Sequence, residues 1–436
     1  MKTLIQQVKK WRFSMKLWQL NLLMSLMFVV VFNHFFWREI YAIIQPSLAS
    51  DYLFLCSVLL LLTAIIFLVL SLITSVKTYR IVYPLLLIIT ATCFYYISQY
   101  NIVIDKEMIR NVMETNASEA FDLINFKFIL LVLILTLVPT WLMSKINLAD
   151  RGWLNNLWSQ FKAASCAVSL IVVLLYTSYP SYASIARTHR HLSHLILPTN
   201  FIFAGLSYAK ESLASKKAPF KDLTNDVARS VQTQADSRQV TVLIIGETAR
   251  ADHFAINGYE QNTTPKLKER SQHKNSEIIN FKQASSCGTS TAVSLPCMFS
   301  YLTRKEYNHK KGKNSSNMLD FIQQSGIDVQ WRDNNTGCKG LCDRIDYVDL
   351  TQETDPKLCG SGECHDEILL KGLNEHIRAS NKDQLIVLHQ KGSHGPAYHL
   401  RYPKEFEVFK PTCQTVSLQK CSKASLNNSY DNSILY

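Results

Sequence analysis

The 436 residues suffice for two or three domains, and their formal net charge of +12 would suit a negatively charged partner. No basic nucleic-acid-binding motif accompanies this charge, and many lysines and arginines flank apolar runs, so the composition favours anionic lipid over nucleic acid. Hydrophobic residues make up 47% of the chain, and nearly all of the long apolar runs precede Pro180, which indicates a membrane-bound N-terminal part.

Five apolar runs are each close to the ~20 residues that a helix needs to cross a bilayer. They cover 17–36, 51–75, 80–98, 126–144 and 163–180. Lysines and arginines gather before the first run and near 77–80 and 145–162, which assigns these segments to the cytoplasm. Since no small-residue cleavage site follows the first run, we predict five uncleaved spans that place everything after Pro180 on the outer side.

The loop between the third and fourth runs carries three polar residues at helical spacing. Asn111, Thr115 and Glu119 recur every four residues and would lie on one face of a helix. Such a ridge on the outer side could hold a lipid head-group, although an ordinary surface helix would show the same pattern.

Residues 181–235 connect the membrane runs to the rest of the chain. The segment Thr199–Leu206 is apolar and aromatic but too short to cross a bilayer, so we predict that it lies in the membrane interface. The polar stretch 214–230 has the composition of a flexible linker. We therefore divide the chain into a membrane domain at 1–180, this bridge, and an outer domain at 236–436.

The outer domain alternates short apolar runs with helical patterns, which predicts a mostly parallel sheet with helices on both faces. Predicted strands are Val240–Ile245, Asp328–Arg332 and Gln384–His389, and predicted helices include Asn317–Gln324 and Glu367–Arg378. The first strand is apolar throughout, so we expect it to be buried on both faces. Glu247 follows that strand and would stand at the carboxyl edge of the sheet, where ligands of such sheets bind.

Eight of the eleven cysteines lie in the outer domain at short spacings. The close pairs are Cys287 with Cys297, Cys338 with Cys342, Cys359 with Cys364, and Cys413 with Cys421. Even numbers in close pairs favour disulfides in an oxidising compartment, whereas zinc-binding thiolates would show paired CxxC spacings. Cys56, Cys93 and Cys166 fall within apolar runs and should stay reduced.

The segment CGTSTAVSLPC places small hydroxyl residues just before a predicted helix. A helix N-terminus attracts phosphate, and a threonine there could be a nucleophile activated by a metal ion, although turns and helix caps use the same residues. Asn335 and Lys339 follow another strand and are suitable donors to phosphate oxygens. His389 and His394 follow the last predicted strand, and either could bind metal or act as a general acid.

Taken together and in this order, five spans, GETAR, CGTSTA, RDNN followed by a lysine, and HGPAY make the chain resemble the lipid A phosphoethanolamine transferases, the family that includes transferases conferring colistin resistance. The resemblance implies an α/β/α outer domain of the alkaline phosphatase and sulfatase type. It further implies a multi-pass protein of the bacterial inner membrane, monomeric, with its catalytic domain in the periplasm.

The resemblance also assigns roles to residues. It implies Thr291 as the nucleophile that carries phosphoethanolamine covalently, with Glu247 and Thr291 as ligands of a zinc cofactor. Phosphatidylethanolamine would be the donor and a lipid A phosphate the acceptor. Two sets of residues are implied in binding: Asn335, Lys339 and His394 for the phosphoethanolamine group, and Asn111, Thr115 and Glu119 for the donor lipid.

One departure from the family pattern concerns the metal. The remaining zinc ligands of the family include an Asp-His pair in a DHGES segment, which this sequence does not contain before it ends at Tyr436. We therefore expect the chain to be truncated at its C-terminus and inactive by itself. Two alternatives stay open: a membrane-anchored hydrolase of the same superfamily, in which water replaces lipid A, and a lipid-binding remnant without turnover.

Overall fold

The computed structural model describes residues 13–115, 120, 123–150, 152–216, 218–228, 237–273, 276–360, 363–416 and 418–436. It divides the chain into two compact units. The first, the membrane unit, comprises Met1–Ile109 and Asn125–Ala209, and the second, the outer unit, comprises Arg110–Ile124 and Lys210–Tyr436.

The first half of the chain is helical. Its helices are α1 (Leu17–Met27), α2 (His34–Ile44), α3 (Ala49–Ile73), α4 (Tyr79–Tyr100), α5 (Lys106–Glu114), α6 (Phe126–Ser144), α7 (Trp153–Thr177), α8 (Tyr179–Thr188) and α9 (Thr199–Lys216), with β1 (Phe13–Met15) pairing in parallel with β2 (Ile146–Leu148). Among the described residues, α3, α4, α6 and α7 are each long and apolar enough to cross a membrane. A fifth crossing requires the bent pair formed by 17–32 and α2 to act as one span.

The first predicted run is not one straight helix. A π-helical turn, Phe28–Phe32, follows α1, and α2 then departs at an angle of 67°. Asn33 accounts for the break, because its buried side-chain amide donates to the carbonyl oxygens of Phe28 (2.9 Å) and Leu197 (2.8 Å). Its side-chain oxygen also accepts from the Leu197 amide at 2.8 Å. Hydropathy does not register such a local polar contact, which is why the sequence predicted an uninterrupted run.

Three other features differ from the prediction. The helix of the last span begins at Trp153, directly after Gly152, and not at 163. Its first turns are helical but contain polar and aromatic residues, so they do not form part of the apolar run. The segment predicted to end at Leu206 continues as helix α9 to Lys216. The predicted flexible linker is held against the outer unit over its described part, since the amides of Lys221 and Leu223 donate to Asn314 O (2.8 Å) and Ser316 Oγ (3.0 Å).

The outer unit contains the predicted α/β domain. Its helices are α10 (Pro265–Gln272), α11 (Thr291–Met298), α12 (His309–Lys313), α13 (Met318–Gln324), α14 (Leu373–Ala379) and α15 (Lys423–Leu435), and its strands are β3 (Val240–Ile245), β4 (Asp328–Asp333), β5 (Asp346–Asp349), β6 (Cys359–Gly360), β7 (Glu363–Cys364) and β8 (Gln384–His389). The main sheet has the order β3-β8-β4-β5 with every neighbouring pair parallel. The predicted strands and the parallel sheet are thus confirmed.

Helices pack on both faces of the two central strands. On one face, Val387 and Trp331 are fully buried against Leu295 of α11, Phe299 directly after that helix, and Leu319 of α13. On the other face, Ile386 and Leu388 pack against the 3₁₀ segment Asp366–Leu370 and α14. The single predicted helix 367–378 is divided there because Gly372 adopts a left-handed conformation, with φ of +70°.

The expectation that Val240–Ile245 is buried on both faces is wrong. In the described chain β3 pairs only with β8 and forms an edge of the sheet. Val240, Val242 and Ile244 are 40%, 45% and 59% exposed, whereas Ile245 is buried. An unbroken apolar run therefore shows that both faces of a strand are apolar. It does not show that other elements pack against both faces.

Four disulfides staple the outer unit. They join the pairs of cysteines that lie close in sequence, namely Cys287–Cys297, Cys338–Cys342, Cys359–Cys364 and Cys413–Cys421. Cys56, Cys93 and Cys166 are free thiols. The third bond closes the antiparallel β6–β7 hairpin.

The bent pair gives a test of the topology. If it crosses the membrane as one span, a reporter fused after Gln45 should report the periplasm, one at Leu148 the cytoplasm, and one near Lys217 the periplasm. Paired alkaline phosphatase and green fluorescent protein fusions measure this directly. Gln45 and Leu148 reporting the same side would contradict five crossings.

Candidate functional site

The site lies at the carboxyl edge of the parallel sheet, where the ends of three strands are aligned. The register pairs Ile245 and Asp333 with His389, so the loops after β3, β4 and β8 leave the sheet side by side. Those loops begin with Gly246, Asn334 and Gln390. This is the position at which open α/β sheets bind their ligands.

Glu247 is fixed through its backbone by the loop after β8. The amide of Ser393 donates to the Glu247 carbonyl oxygen at 3.0 Å. Gly392 has φ of +54°, and a Cβ placed there would come within 2.8 Å of the Glu247 nitrogen. Only glycine satisfies both the left-handed conformation and the close approach, so this contact sets where the Glu247 carboxylate stands.

Thr291 is the first residue of α11 and points to that carboxylate. Its hydroxyl donates to Glu247 Oε2 at 2.8 Å. The Cys287–Cys297 disulfide ties the preceding loop to the same helix. A Cβ at Gly288 would lie 2.8 Å from Val293 Cγ1, so the loop packs tightly on the helix that it precedes. Together these contacts hold the hydroxyl at the strand edge.

Two further side chains are hydrogen-bond donors to the Glu247 carboxylate. The Thr248 hydroxyl donates to Oε1 at 2.8 Å, and the Asn335 amide nitrogen lies 3.4 Å from Oε2. The Asn335 amide also donates to the Gln390 carbonyl oxygen at 2.8 Å, which joins the loops after β4 and β8. The structure therefore brings together Glu247, Thr291 and Asn335 of the predicted site residues.

Beneath these residues lies a buried polar pair. Asp333 and His389 are both fully buried, and His389 Nδ1 lies 2.9 Å from Asp333 Oδ2. Burial by itself would raise the pKa of Asp333, but hydrogen bonds from His389, Trp331 and the Asn335 amide hold it below its usual value. Asp333 is thus negatively charged and holds the start of the loop that carries Asn335. His389 is hydrogen-bonded to Asp333 and is not exposed to solvent.

A second buried carboxylate joins the loops from the other side. Asp366 accepts from the Asn334 side-chain amide at 2.9 Å and from the backbone amides of Lys391 (2.7 Å) and Gly392 (2.8 Å). Burial raises the pKa of Asp366. Because Gly392 supports Glu247, this carboxylate indirectly holds the candidate metal ligand in place.

Lys339 and His394 stand apart from this group. The Lys339 ammonium donates to the carbonyl oxygens of Glu114 (3.1 Å) and Thr336 (2.8 Å), and the His394 carbonyl accepts from Arg401 at 2.7 Å. Neither side chain is among the hydrogen-bond partners of Glu247 or Thr291 in the described chain.

The structure describes two of the three residues, Asn111, Thr115 and Glu119, that were predicted to form a polar ridge on the outer side. Asn111 lies in α5, and the hydroxyl of Thr115, which directly follows that helix, donates to the Asn111 carbonyl oxygen at 2.7 Å. Glu119 lies outside the described residues. Since Lys339 contacts the carbonyl of Glu114, the last residue of α5, the loop after β4 reaches the end of this ridge.

Helix α15 contributes residues to the site that the sequence reading missed. The Tyr430 hydroxyl donates to the Thr248 carbonyl oxygen (2.6 Å) and accepts from the Arg250 amide (2.8 Å). Burial raises the pKa of Tyr430 to about 12, so the hydroxyl keeps its proton at neutral pH. Thr248 has φ of +56°, an uncommon conformation for a non-glycine residue, and Tyr430 fixes it from both sides.

The neighbouring Asp431 holds the rest of the same loop. Its fully buried carboxylate lies 2.6 Å from His253 Nδ1 and accepts from the Tyr259 hydroxyl at 2.8 Å. A buried carboxylate needs partners of this kind, so the helix and the loop stabilise each other. This polar helix buries Ser429, Asp431 and Asn432 and therefore has no amphipathic pattern, which explains why it could not be predicted from the sequence.

Two of the predicted site residues can be compared with the ligands that a zinc ion needs. A carboxylate oxygen of Glu247, which is a common type of zinc ligand, lies next to the hydroxyl oxygen of Thr291, which could coordinate a metal ion after losing its proton. Across the described part of the chain, no group of three or more His, Cys, Asp and Glu side chains could hold a metal ion. Glu247 and Thr291 therefore fit two positions of a zinc site that takes about four ligands.

Comparison with known proteins follows the same division of the chain. Residues 239–436 match the sulfatase family model, and residues 62–213 match that of the phosphoethanolamine transferases EptA/EptB. The chain is 34% identical to phosphoethanolamine transferase EptA of Salmonella typhimurium over 95% of its own length and 75% of that protein. It is 37% identical to phosphatidylethanolamine transferase Mcr-1 of Escherichia coli, covering 83% of the chain and 68% of Mcr-1.

The solved structure of the integral membrane protein lipooligosaccharide phosphoethanolamine transferase A from Neisseria meningitidis matches both units. The TM-score is 0.90 at 34% identity, and the match covers 97% of this chain and 78% of that one. The chain spans a smaller share, 63%, of Escherichia coli EptA, with which it is 38% identical. Both the membrane helices and the sulfatase-like domain thus have counterparts in one solved protein.

Replacing Tyr430 with Phe tests the role of α15. The change keeps the ring but leaves the Arg250 amide without its acceptor and the Thr248 carbonyl without its donor. We expect faster amide hydrogen exchange across 248–259 and a loss of about 1–3 kcal/mol in unfolding free energy, with exchange in β8 unchanged. Hydrogen-exchange mass spectrometry measures this.

Tyr398→Phe is the matched control, because the Tyr398 ring packs edge-on against Tyr430 at 5.5 Å while its hydroxyl makes no bond to the 248–259 loop in the described chain. If Tyr430→Phe leaves exchange in the loop as slow as in the wild type, α15 does not hold the site.

Proposed function

The chain belongs to the phosphoethanolamine transferase family, and from that premise we propose that it moves phosphoethanolamine from phosphatidylethanolamine to a phosphate of lipid A. It is a multi-pass protein of the bacterial inner membrane with its sulfatase-like domain in the periplasm. The hydrogen bond from Thr291 to Glu247 at the carboxyl edge of the sheet is the observation that supports this reaction most strongly.

The proposed reaction has two halves, with Thr291 as the nucleophile. In the first, Thr291 Oγ1 attacks the phosphorus of phosphatidylethanolamine, the bond to the glycerol oxygen breaks, and diacylglycerol leaves with a proton. In the second, an oxygen of a lipid A phosphate attacks the same phosphorus and releases the Thr291 hydroxyl. Donor and acceptor use one nucleophile in turn, which gives a ping-pong scheme.

The residues around Thr291 have distinct parts in this scheme. Glu247 accepts the Thr291 hydrogen bond and so orients the hydroxyl before attack. The open N-terminus of α11 presents backbone amides to the negative charge that develops on the phosphoryl group. We further propose that Asn335, Lys339 and His394 bind the phosphoethanolamine group. The outer ridge of Asn111, Thr115 and Glu119 would hold the donor lipid.

We also propose zinc as the cofactor, held in part by Glu247 and Thr291. When bound, zinc would favour the deprotonated, nucleophilic form of the threonine hydroxyl and stabilise charge on the phosphoryl oxygens. Adding an amine to a lipid A phosphate would lower the negative charge of the cell surface. Cationic peptides such as colistin would then bind less well, which would make cells more resistant.

In a version of the chain extended through a DHGES segment, replacing Thr291 with Ala should abolish transfer in cells. The substitution removes the nucleophilic oxygen and, besides it, only the methyl group of a half-buried side chain. Mass spectrometry of extracted lipid A measures the modification. Thr289→Ala is the control, since it removes a hydroxyl from the same GTST segment that does not bond to Glu247. Lipid A modified to wild-type levels in Thr291→Ala cells would rule out this nucleophile.

Binding of zinc by Glu247 and Thr291 alone should be weak, because the affinity of a site for zinc grows with the number of fixed ligands. We expect the purified chain to retain well below one zinc per molecule after dialysis against metal-free buffer, and Glu247→Ala to retain less. Elemental analysis by mass spectrometry gives the content. Glu353→Ala, which removes a partly exposed carboxylate bonded to Lys371, should match the wild type. A full equivalent of zinc in the wild type would show that other residues complete the site.

A further inference from the structure

The membrane unit contains a groove that shares no residue with the proposed active site. It has a volume of about 690 Å³ and is lined by α1, α3 and α7. Its size is in the range of ligand-binding pockets. All of its lining residues belong to the membrane unit, so it is separate from the site at Glu247 and Thr291.

Small residues on α7 create the groove. Ala163 and Ala167 are one turn apart and face Ala64 and Phe67 of α3, in a small cluster separate from the main core of the unit. Because these side chains are short, the two helices leave space that larger residues would fill. Leu26 and Leu170 contribute to an apolar lining.

The groove is charged, and its two cations come from different helices. Lys16, which directly precedes α1, and Lys162 of α7 are the charged residues among those that line it, and none of the lining residues is acidic. Neither ammonium forms an ion pair with a carboxylate within the described part of the chain, and Lys162 lies over the Trp158 ring at 5.4 Å. An ammonium beside hydrocarbon is costly unless an anion accompanies it.

The dimensions match one leaflet. From Trp18 to Leu26, and from Lys162 to Leu170, eight residues of helix rise about 12 Å, close to half of the ~30 Å hydrocarbon core. Lys16 precedes the first stretch, and Lys162 lies one turn after Ser159, the first lining residue of α7, so both lysines are near one end of the groove and Leu26 and Leu170 are at the other. Lys16 and Lys162 also fall in the basic segments that face the cytoplasm.

We propose that this groove binds one anionic phospholipid of the cytoplasmic leaflet. Its phosphate would lie between Lys16 and Lys162, and an acyl chain would follow the apolar lining toward Leu26 and Leu170. A helix from a second copy would cover the apolar part but leave both ammonium groups without an anion, which is why the charge favours lipid. The proposal does not depend on the transfer reaction.

The test uses the whole chain in nanodiscs of phosphatidylglycerol or phosphatidylcholine with identical acyl chains. Native mass spectrometry after release should show one phosphatidylglycerol retained and phosphatidylcholine lost. The double variant Lys16→Gln, Lys162→Gln should retain phosphatidylglycerol about 10-fold less, because both contacts to the phosphate are removed. Equal retention of the two lipids, or wild-type retention in the double variant, would overturn the proposal.

Lys145→Gln is the control for removing a basic residue outside the groove, and it is compared with Lys162→Gln alone as well as with the double variant. The Lys145 ammonium also lies over a tryptophan ring, that of Trp141, at 5.5 Å. Lys145 belongs to the same set of cytoplasmic basic residues but does not line the groove. Its replacement should leave phosphatidylglycerol retention unchanged. A loss as large as that of the double variant would mean that general surface charge, and not the groove, binds the lipid, and would refute the proposal.

Filling the groove gives an independent test of its apolar part. Ala167→Phe places a ring where the acyl chain would lie and should reduce phosphatidylglycerol retention, whereas Ser165→Phe adds the same ring to an exposed position outside the lining. A change of oligomeric state in Ala167→Phe without loss of lipid would assign the groove to a second copy and reject the lipid. The lysine variants, which leave the packing intact, decide the proposal if Ala167→Phe does not fold.

Discussion

The hydrogen bond between Thr291 and Glu247 is the contact around which the outer unit is organised. It joins the first residue of α11 to the first side chain after β3. The helix must therefore begin close to the point where the strand ends. The parallel sheet provides that place, because its strands all end at one edge. The chemistry proposed here needs a hydroxyl next to a carboxylate, and the register of β3, β8 and β4 brings the loops that carry them together.

A layer of buried polar groups keeps that contact in position. Asp333 anchors the loop after β4, Asp366 the loop after β8, and Tyr430 with Asp431 the loop after Glu247. Asp333, Tyr430 and Asp431 are buried and Asp366 is half-buried. Asp333, Asp366 and Tyr430 bond to backbone groups, whereas Asp431 bonds to the side chains of His253 and Tyr259. Buried polar groups of this kind are costly when unpaired, so the layer specifies one arrangement of the loops.

Sequence patterns predicted the strands well and the surroundings of the site poorly. Short apolar runs located β3, β4 and β8, and close spacing identified the disulfides. The pattern could not show that β3 is an edge strand, because an apolar run does not reveal which faces are covered. It also missed Asn33 and Tyr430, whose roles depend on partners 164 and 182 residues away. Thr291 was recognised through family resemblance, since a GTST segment alone is typical of turns.

The proposed mechanism requires a covalent intermediate on Thr291, which peptide mapping can detect. A version of the chain extended through a DHGES segment is purified, incubated with phosphatidylethanolamine without lipid A, quenched, digested and analysed by tandem mass spectrometry. We expect a phosphoethanolamine adduct on Thr291 that disappears when lipid A is added and is absent from Glu247→Ala. Transfer to lipid A with no adduct at any stage, or with the adduct on another residue, would contradict the proposed mechanism.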